Sequence, residues 1–444
     1  MARRGRGKKL AIGRVIARII PSGFCSLGEN LAYWHNTTNR TILCERLRLS
    51  SLGLHSKDIL KVEQNISRLE YLLSLYHMTV EEVLRLASDG LKNPLTRDDI
   101  FASEISIQHL KRIDAIFNKG LHFYVDPEPL SASKDASIFF RKNTFGAKLS
   151  LGAKQIVRQF EEKTISLTAI SKLAEIRLER TLPVVSVQDS PKSIALEMRA
   201  MLYPAFTPDL KEFLRALIAK LADQNVLVYE FVEAWNKKER ANIDGFFLSP
   251  NVIVLKRHQN AFRREIFTLA HEFGHYLLNE EEIEELDVAN LSNTQLSATE
   301  KWCNDFAYYF LAGEFDAAIE RIINANPAND YHFDVIKEIS EQTHLSQIAL
   351  FTRLLFLGKM SLNSYRHVQA GFEEDYKHRE AERRLQKELD KQHGVQTRGS
   401  APKPIISPLL ITTVQAAYYE GVISEYDACK TLNVSADRLG EYLP

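Results

Sequence analysis

The stretch FTLAHEFGHYLLNE, residues 267–280, places two histidines four positions apart in a run that is otherwise largely apolar. On an α-helix, side chains at positions i and i+4 project from the same face, so His271 and His275 can offer two imidazole nitrogens to one metal ion. Glu272 directly follows the first histidine, where a carboxylate can serve as a general base without being a ligand. The stretch predicts a helix that carries two zinc ligands and a catalytic base.

A third protein ligand is still needed, because a catalytic zinc site takes three ligands from the protein and leaves the fourth position for water. The acidic run at 280–285 offers carboxylates, but we interpret it as a solvated helix end. Glu300 begins a second predicted helix, SATEKWCNDFAYYFLAG, and Asn304 and Ala307 share its face. Ser297 and Glu300 also match a capping box. The residues alone therefore leave Glu300 open between a helix cap and a zinc ligand.

The two helices together resemble the ImmA/IrrE family of zinc metallopeptidases, in which R-x-x-F-T-x-A-H-E-x-G-H is followed by E-x-x-A-N-x-F-A. The matching residues are Arg264, Phe267, Thr268, Ala270, His271, Glu272, Gly274, His275, Glu300, Asn304, Phe306 and Ala307. The resemblance implies that His271, His275 and Glu300 are zinc ligands and that Glu272 is the general base. Cys303 departs from the pattern, since the family usually has alanine there, and FLAGEF replaces the usual L-L-x-P ending.

The resemblance covers about residues 205–365 and implies a zincin-like core, with a small β-sheet before the active-site helix. It also implies a protein substrate, a helix-turn-helix transcriptional repressor, which the chain itself does not show. We expect a zinc-dependent endopeptidase of narrow specificity. The alternative is a non-proteolytic, DNA-associated or antitoxin-like regulator with a structural zinc site. An intact Glu272 favours the peptidase, because a structural site has no need of a base.

Other side chains near the motif receive structural interpretations. Tyr308, Tyr309 and His258 could donate a hydrogen bond to a reaction intermediate, but we interpret them as structural aromatics and a surface histidine. Gly274 is unfavourable inside a helix by roughly 1 kcal/mol, which indicates a packing or access reason for the missing side chain.

The composition narrows the class of protein. The 444 residues favour two or three domains. Lys plus Arg equals Asp plus Glu at 57 each, so the chain has no net positive charge that would indicate nucleic-acid binding. The four cysteines show no C-x-x-C pair, so we expect a cytoplasmic protein without a disulfide framework. No apolar run reaches the roughly 18–20 residues of a membrane helix, and no membrane partner is expected.

The N-terminal part is predicted to comprise a basic arm at 1–55 and a helical domain at 56–130. Residues 1–50 contain ten basic and two acidic side chains, which can contact phosphates or form a solvated tail. The helices SRLEYLLSLYHM, TVEEVLRLAS and SIQHLKRIDAIFNKG weakly resemble an Xre-type helix-turn-helix domain, and an all-helical packing domain is the alternative. DNA binding has little support, because the candidate recognition helix is poor in residues that read bases.

The remaining chain is predicted to be α+β and predominantly helical. A helical connector at 131–205 precedes the metallopeptidase core at 206–320, which contains the helix PDLKEFLRALIAKLADQ and the strands NVLVYEFV, IDGFFLS and NVIVLKR. Ser249-Pro250-Asn251 predicts a hairpin turn. A helix-turn-helix-like unit at 321–370, centred on Thr343-His344-Leu345-Ser346, leads to a charged helix and linker at 371–404. A C-terminal helical module at 405–444 ends the chain.

Overall fold

The computed structural model describes residues 60–76, 78–117, 119–128, 149–233, 240–258, 261–282, 297–393 and 402–443. Within these ranges the chain is predominantly helical with two small β-sheets, which confirms the predicted fold class. The predicted basic arm at 1–55 lies outside the described residues. None of the helices in the described ranges is long and apolar enough to span a membrane.

Short helices and a two-stranded sheet make up residues 60–128. The elements are β1 (Lys61–Glu63), α1 (Ile66–Leu75), α2 (Val80–Ala87), α3 (Arg97–Ile100), β2 (Glu104–Ser106), α4 (Ile107–Phe117) and α5 (Leu121–Val125). The three predicted helices are confirmed as α1, α2 and α4. Thr79 and Glu82 form a capping box at the start of α2, each side chain accepting a hydrogen bond from the other's backbone N–H. The antiparallel pair β1–β2 was not predicted.

Three longer helices follow, α6 (Leu151–Leu173), α7 (Pro191–Leu202) and α8 (Leu210–Ala222). The predicted helical connector at 131–205 contains α6, to which the segments LGAKQIVRQFEEK and SLTAISKL contribute and which ends before EIRLER. Lys154 is buried in α6, and its Nζ donates a hydrogen bond of 2.7 Å to the carbonyl oxygen of Tyr76. The N-terminal helices are therefore anchored to α6.

The central sheet consists of β3 (Leu227–Phe231), β4 (Gly245–Leu248) and β5 (Val252–Lys256), in the order β3-β5-β4. β3 runs parallel to β5, and β4 runs antiparallel to it. All three strands were predicted, and the hairpin between β4 and β5 turns at Ser249-Pro250-Asn251, as expected. The sheet directly precedes the helix that carries the two histidines.

Successive residues of a strand point to opposite faces of the sheet, and in this sheet both faces are covered by other elements. Val228 and Ile253 contribute to a hydrophobic core shared with α8 and the helices that follow the sheet. Tyr229 and Phe246 contribute to a second core, which contains α6 and Val414 of the C-terminal module. The C-terminal module therefore completes the layer on the outer face of the sheet.

The described residues from 261 onward are almost entirely helical. Its helices are α9 (Phe262–Leu278), α10 (Ala298–Ala312), α11 (Asp316–Arg321), α12 (Phe333–Gln342), α13 (Gln347–Phe356), α14 (Leu362–Gln392), α15 (Pro408–Tyr419) and α16 (Glu425–Leu432). Short 3₁₀ segments occur at Gly313–Phe315, Pro327–His332 and Ala436–Glu441. The charged helix predicted at 371–404 is the second half of α14, so the boundary drawn between 370 and 371 falls inside one continuous helix.

Helices α9 and α10 pack closely against each other because Gly274 has no side chain. A Cβ atom at Gly274 would lie 3.1 Å from the Sγ of Cys303 and 3.2 Å from its Cα, closer than ordinary van der Waals contact. The predicted packing reason for Gly274 is therefore confirmed. Cys303 is fully buried at this crossing, where only a small residue fits.

The turn between α12 and α13 is buried and is held by the start of α9. Arg263 NH1 donates hydrogen bonds to the carbonyl oxygens of Ser340, Thr343 and Leu345, at 2.5, 3.3 and 2.7 Å. The predicted pair of helices around this turn is confirmed. Every residue of α13 is at least partly buried. A recognition helix needs an exposed face to enter the major groove, so this packing disfavours DNA binding by α13.

His344 in this turn predicts an acid-sensitive stability. Its ring stacks on Phe206 at 5.1 Å and lies 3.7 Å from the ring of Phe213, and burial lowers the pKa of His344 to about 4, aided by Arg263. The unfolded chain binds this proton below about pH 6.5 and the folded chain does not. The stabilisation is thus complete above pH 6.5, and up to about 3 kcal/mol is lost as the pH falls toward 4.

Urea unfolding at pH 7.5, 5.5 and 4.5 measures this effect. We expect His344→Phe to flatten the decline in unfolding free energy between pH 6.5 and 4, relative to the unmodified protein. Equal declines in the two proteins would show that His344 does not titrate on unfolding in this range.

Candidate metal centre

A buried ion cluster fixes the start of α9. Arg257, just after β5, forms an ion pair with Glu265 on the first turn of α9, and Glu265 Oε1 also accepts a hydrogen bond of 2.7 Å from the backbone N–H of His258. Glu230 on β3 completes the cluster, 3.8 Å from Arg257, and accepts a hydrogen bond of 2.6 Å from the backbone N–H of Ile405. Burial raises the pKa of Glu230 to about 7. These contacts join α9 to the sheet and to the start of the C-terminal module.

Three predicted ligands come together where α9 crosses α10. The Nε2 atoms of His271 and His275 are 3.1 Å apart. Glu300 places Oε2 3.2 Å from Nε2 of His271 and Oε1 3.1 Å from Nε2 of His275. These donor atoms form the one candidate metal-ligating group found among the described residues. The structure therefore brings together the ligand set that the sequence predicted.

A backbone contact orients His275. Its Nδ1 lies 3.1 Å from the carbonyl oxygen of Glu280, just beyond the end of α9. A carbonyl oxygen can only accept, so Nδ1 carries the proton and Nε2 presents its lone pair toward His271 and Glu300. His275 is almost completely buried, which removes water as an alternative partner. Hydrogen bonds of this type, made by the ring nitrogen that does not bind the metal, orient metal-binding histidines in proteins.

Glu300 uses only its backbone for the helix cap. Its N–H donates a hydrogen bond of 3.0 Å to Oγ of Ser297, the residue that caps α10. Its carboxylate lies against the two histidines instead of returning to Ser297. Although burial alone would raise the pKa of Glu300, the adjacent imidazoles of His271 and His275 hold it well below its usual range. The carboxylate of Glu300 therefore lies with the two histidines, and its role as a zinc ligand stays a prediction.

Glu272 faces the same pocket, beneath the start of β4. A Cβ atom at Gly245 would lie 3.1 Å from Oε1 of Glu272 and 2.6 Å from Cγ2 of Thr268, so only glycine leaves room for both side chains. Oε2 of Glu272 is buried and has no hydrogen-bond partner among the described residues. Burial raises the pKa of Glu272 to about 7, and the charge of Glu300 acts in the same direction. A carboxyl group with this pKa suits proton transfer near neutral pH.

Asp244 links β4 to the first turn of α9 and was not predicted. Its carboxylate forms an ion pair with Arg264 and lies 3.3 Å from Nε2 of His258. Burial would raise the pKa of Asp244, but His258 and Arg264 lower it. Because Asp244 precedes Gly245, the ion pair holds the strand against the helix face that carries Glu272. His258 thus serves this contact.

A pocket of about 150 Å³ contains these groups. The residues that line it are Asp244, Gly245, Phe267, Thr268, His271, Glu272, His275, Glu282, Glu300 and Asn304. Asn304 was placed on the face of Glu300 by helical spacing, and the structure confirms it. Phe267 and Thr268 are uncharged residues of the wall, and the carboxylates of Glu272 and Glu300 line the same pocket as the two histidines.

Hydrogen bonds test the structural interpretations of Tyr308 and Tyr309 and the solvated interpretation of the acidic run at 280–285. The hydroxyl of Tyr308 donates to Asp316 at 3.0 Å, and the hydroxyl of Tyr309 accepts from Arg353 at 2.6 Å, so both have structural roles. The solvated interpretation of the acidic run is wrong for Glu281, which is buried and accepts a hydrogen bond of 2.8 Å from the backbone N–H of Ser249. Residues 283–296 lie outside the described ranges.

The donor set fits zinc. Two imidazole nitrogens and a carboxylate oxygen are typical catalytic zinc ligands, and bonds of about 2.0 Å in a tetrahedral site separate ligand atoms by roughly 3.3 Å. The three separations here are 3.1, 3.2 and 3.1 Å. Without a cation, the lone pair on Nε2 of His275 would face a carboxylate across 3.1 Å in a buried site. A divalent cation removes this conflict.

Comparison with known families identifies the surrounding segment. Residues 223–322 match the family model of the IrrE N-terminal-like domain, Peptidase_M78. This segment is similar to the IrrE N-terminal-like domain. It runs from β3 through α11 and so includes all four predicted site residues. The comparisons with curated proteins and with solved structures found no match.

The match to the IrrE N-terminal-like domain confirms the resemblance drawn from FTLAHEFGHYLL and EKWCNDFAYYFL, and it supports a peptidase function. The match covers less than a quarter of the chain, with helices before and after it. The identity of the metal, the role of Glu272 and the substrate stay predictions.

Proposed function

We propose that the protein is a zinc-dependent endopeptidase that hydrolyses a peptide bond in a specific regulatory protein. The convergence of His271, His275 and Glu300, with Glu272 in the same pocket, is the observation that carries this proposal. A purely structural site needs its ligands but has no need of a buried carboxylate beside them. The feature that favours catalysis is therefore Oε2 of Glu272, which is buried without a hydrogen-bond partner in the described ranges.

The residues have separate chemical tasks. His271, His275 and Glu300 would hold the ion, and bound zinc would polarise the scissile carbonyl and lower the pKa of the attacking water. Glu272 takes the proton from that water and then donates it to the leaving amine nitrogen. Phe267, together with the buried crossing of α9 and α10, limits the entry of other water molecules.

The proposed substrate is a helix-turn-helix transcriptional repressor, and the proposed setting is the cytoplasm. Resemblance to the ImmA/IrrE family supports the substrate, because its members commonly cleave or otherwise relieve such repressors. The four cysteines without a C-x-x-C pair support the cytoplasm. The helices on both sides of the IrrE N-terminal-like domain provide surfaces for recognising a folded partner. A helix-turn-helix protein encoded beside this gene would be the first candidate.

The alternative, a DNA-associated regulator with a structural metal, has weaker support. In residues 60–128, acidic side chains outnumber basic ones, and the exposed residues of α2 include Glu81 and Glu82. DNA binding depends strongly on neutralising phosphates with Lys and Arg. The buried α13 is also unsuited to the major groove.

Metal removal tests the proposed function. Purified protein would be depleted with a chelator, then assayed with and without added zinc on a peptide library prepared by chymotryptic digestion of a proteome. We expect new peptide termini in mass spectra with zinc-loaded protein, loss of cleavage on depletion, and recovery after zinc is restored. Cleavage that is insensitive to depletion would contradict a metallopeptidase. Zinc-loaded protein with no cleavage of the library or of a neighbouring repressor would favour the structural-zinc alternative.

A further inference from the structure

We propose that Glu282 selects substrates with a positively charged side chain, Lys or Arg, beside the scissile bond. This inference rests on the proposed peptidase function and adds the chemical class of the substrate segment. Glu282 lines the pocket together with His271, His275, Glu272 and Glu300. It lies four residues after Leu278, the last residue of α9.

The charge of Glu282 lacks a counter-ion in the described part of the chain. Its hydrogen bond there comes from the neutral hydroxyl of Ser297, at 3.1 Å from Oε2. No lysine, arginine or histidine of the described ranges forms an ion pair with it, whereas Asp244 in the same pocket is paired with Arg264. The next residues, 283–296, contain no lysine or arginine in their sequence. That segment therefore supplies no cation to Glu282.

The remaining acidic groups of the pocket have other tasks. Glu300 faces two histidines, and Glu272 is reserved for proton transfer. A zinc ion held by His271, His275 and Glu300 would leave the carboxylate of Glu282 as the uncompensated charge of the wall. A half-buried carboxylate is stabilised when an opposite charge replaces lost water. A substrate ammonium or guanidinium group can supply that charge.

The pocket also has features of a binding site for a substrate peptide. Oε2 of Glu272 is buried, has no hydrogen-bond partner within the part of the chain that the structure describes, and belongs to a residue that lines the same pocket. This independently indicates that a further polar molecule completes the pocket. Gly245 and Thr268, which also line the pocket, are uncharged. Opposite charges on substrate and Glu282 would favour one orientation of the peptide and disfavour acidic side chains in that position.

The cleavage sites in a chymotryptic peptide library test this inference. With the full-length, zinc-loaded protein, we expect Lys or Arg to be enriched within two residues of the cleaved bond. Glu282→Gln should reduce cleavage of basic sites relative to neutral sites by about tenfold. Glu282→Lys should shift the preference toward Asp and Glu. Glu374→Gln, an exposed position on α14, serves as the matched control and should keep the original preference.

The outcomes separate this inference from the proposed function. Cleavage by the unmodified protein without basic enrichment, or the same enrichment in Glu282→Gln, would overturn the role of Glu282 and leave the peptidase intact. A lower melting temperature in Glu282→Gln with unchanged preference would show that Glu282 only supports Ser297 and the start of α10, which also overturns it. Absence of cleavage by zinc-loaded protein would contradict the proposed function itself.

Discussion

Glu272→Gln should abolish peptidase activity while leaving the zinc content unchanged. Glutamine has nearly the same shape as glutamate and fits beneath Gly245, but its amide cannot accept the proton of the attacking water. General acid–base groups contribute about 10²- to 10⁴-fold to rate, so we expect a loss on the order of 10³-fold. His271, His275 and Glu300 are untouched by this change.

The measurement is the cleavage rate of one library peptide or repressor at equal zinc loading. Glu314→Gln makes the same chemical change at an exposed residue just after α10, and it should retain full activity. Substantial cleavage by Glu272→Gln would remove Glu272 from the role of base. Loss of zinc from Glu272→Gln would instead make it part of the ligand set.

Val414→Asp should unfold the whole protein or nearly so. Val414 is completely buried on α15, in the core that covers the outer face of the sheet. An aspartate there places an unpaired carboxylate among aromatic and aliphatic side chains, which we expect to cost at least about 4 kcal/mol. Because that core includes β3 and β5, the loss should reach the metal centre.

Thr412→Asp is the matched control, since it introduces the same side chain two residues away at an exposed position of α15. Urea unfolding followed by far-ultraviolet circular dichroism would compare the three proteins. We expect a near-normal midpoint for Thr412→Asp and a large decrease for Val414→Asp. A Val414→Asp protein with a normal midpoint would show that the C-terminal module is not part of the sheet's core.

The site residues could be predicted because their signal is local. Two histidines one helical turn apart share a face on any straight helix, and Glu272 needs only to be adjacent. The role of Glu300 could not be predicted from spacing alone, because the same position fits a helix cap and a zinc ligand. The family resemblance is what favoured Glu300 as the third ligand. In the structure its carboxylate lies against His271, and only its backbone N–H contacts Ser297.

Asp244, Gly245 and Glu282 could not be placed from sequence, because their function depends on contacts between separate elements. Gly245 carried a usable signal, since a glycine at a strand often marks a close backbone approach. Nothing comparable marks Asp244 as the partner of Arg264, or Glu282 as a residue of the pocket wall rather than of a solvated run.

The strands also contained information about their surroundings. LVYEF, GFFL and VIVLK are nearly continuous apolar runs, which is typical of sheets covered on both faces. That pattern favours a second covering layer, although it cannot identify α6 and the C-terminal module as that layer. The pair β1–β2 has three residues in each strand and a partner some forty positions away, so it offers little periodicity to detect.

The central claim is that His271, His275 and Glu300 hold one zinc ion, and elemental analysis of purified protein tests it most directly. Zinc per chain would be measured in the unmodified protein, in Glu300→Ala and in Glu272→Gln, with circular dichroism to confirm folding. We predict about one zinc ion per chain in the unmodified protein and in Glu272→Gln, and a large loss in folded Glu300→Ala. Full zinc occupancy in Glu300→Ala would contradict the account and move the third ligand to the acidic run at 280–285.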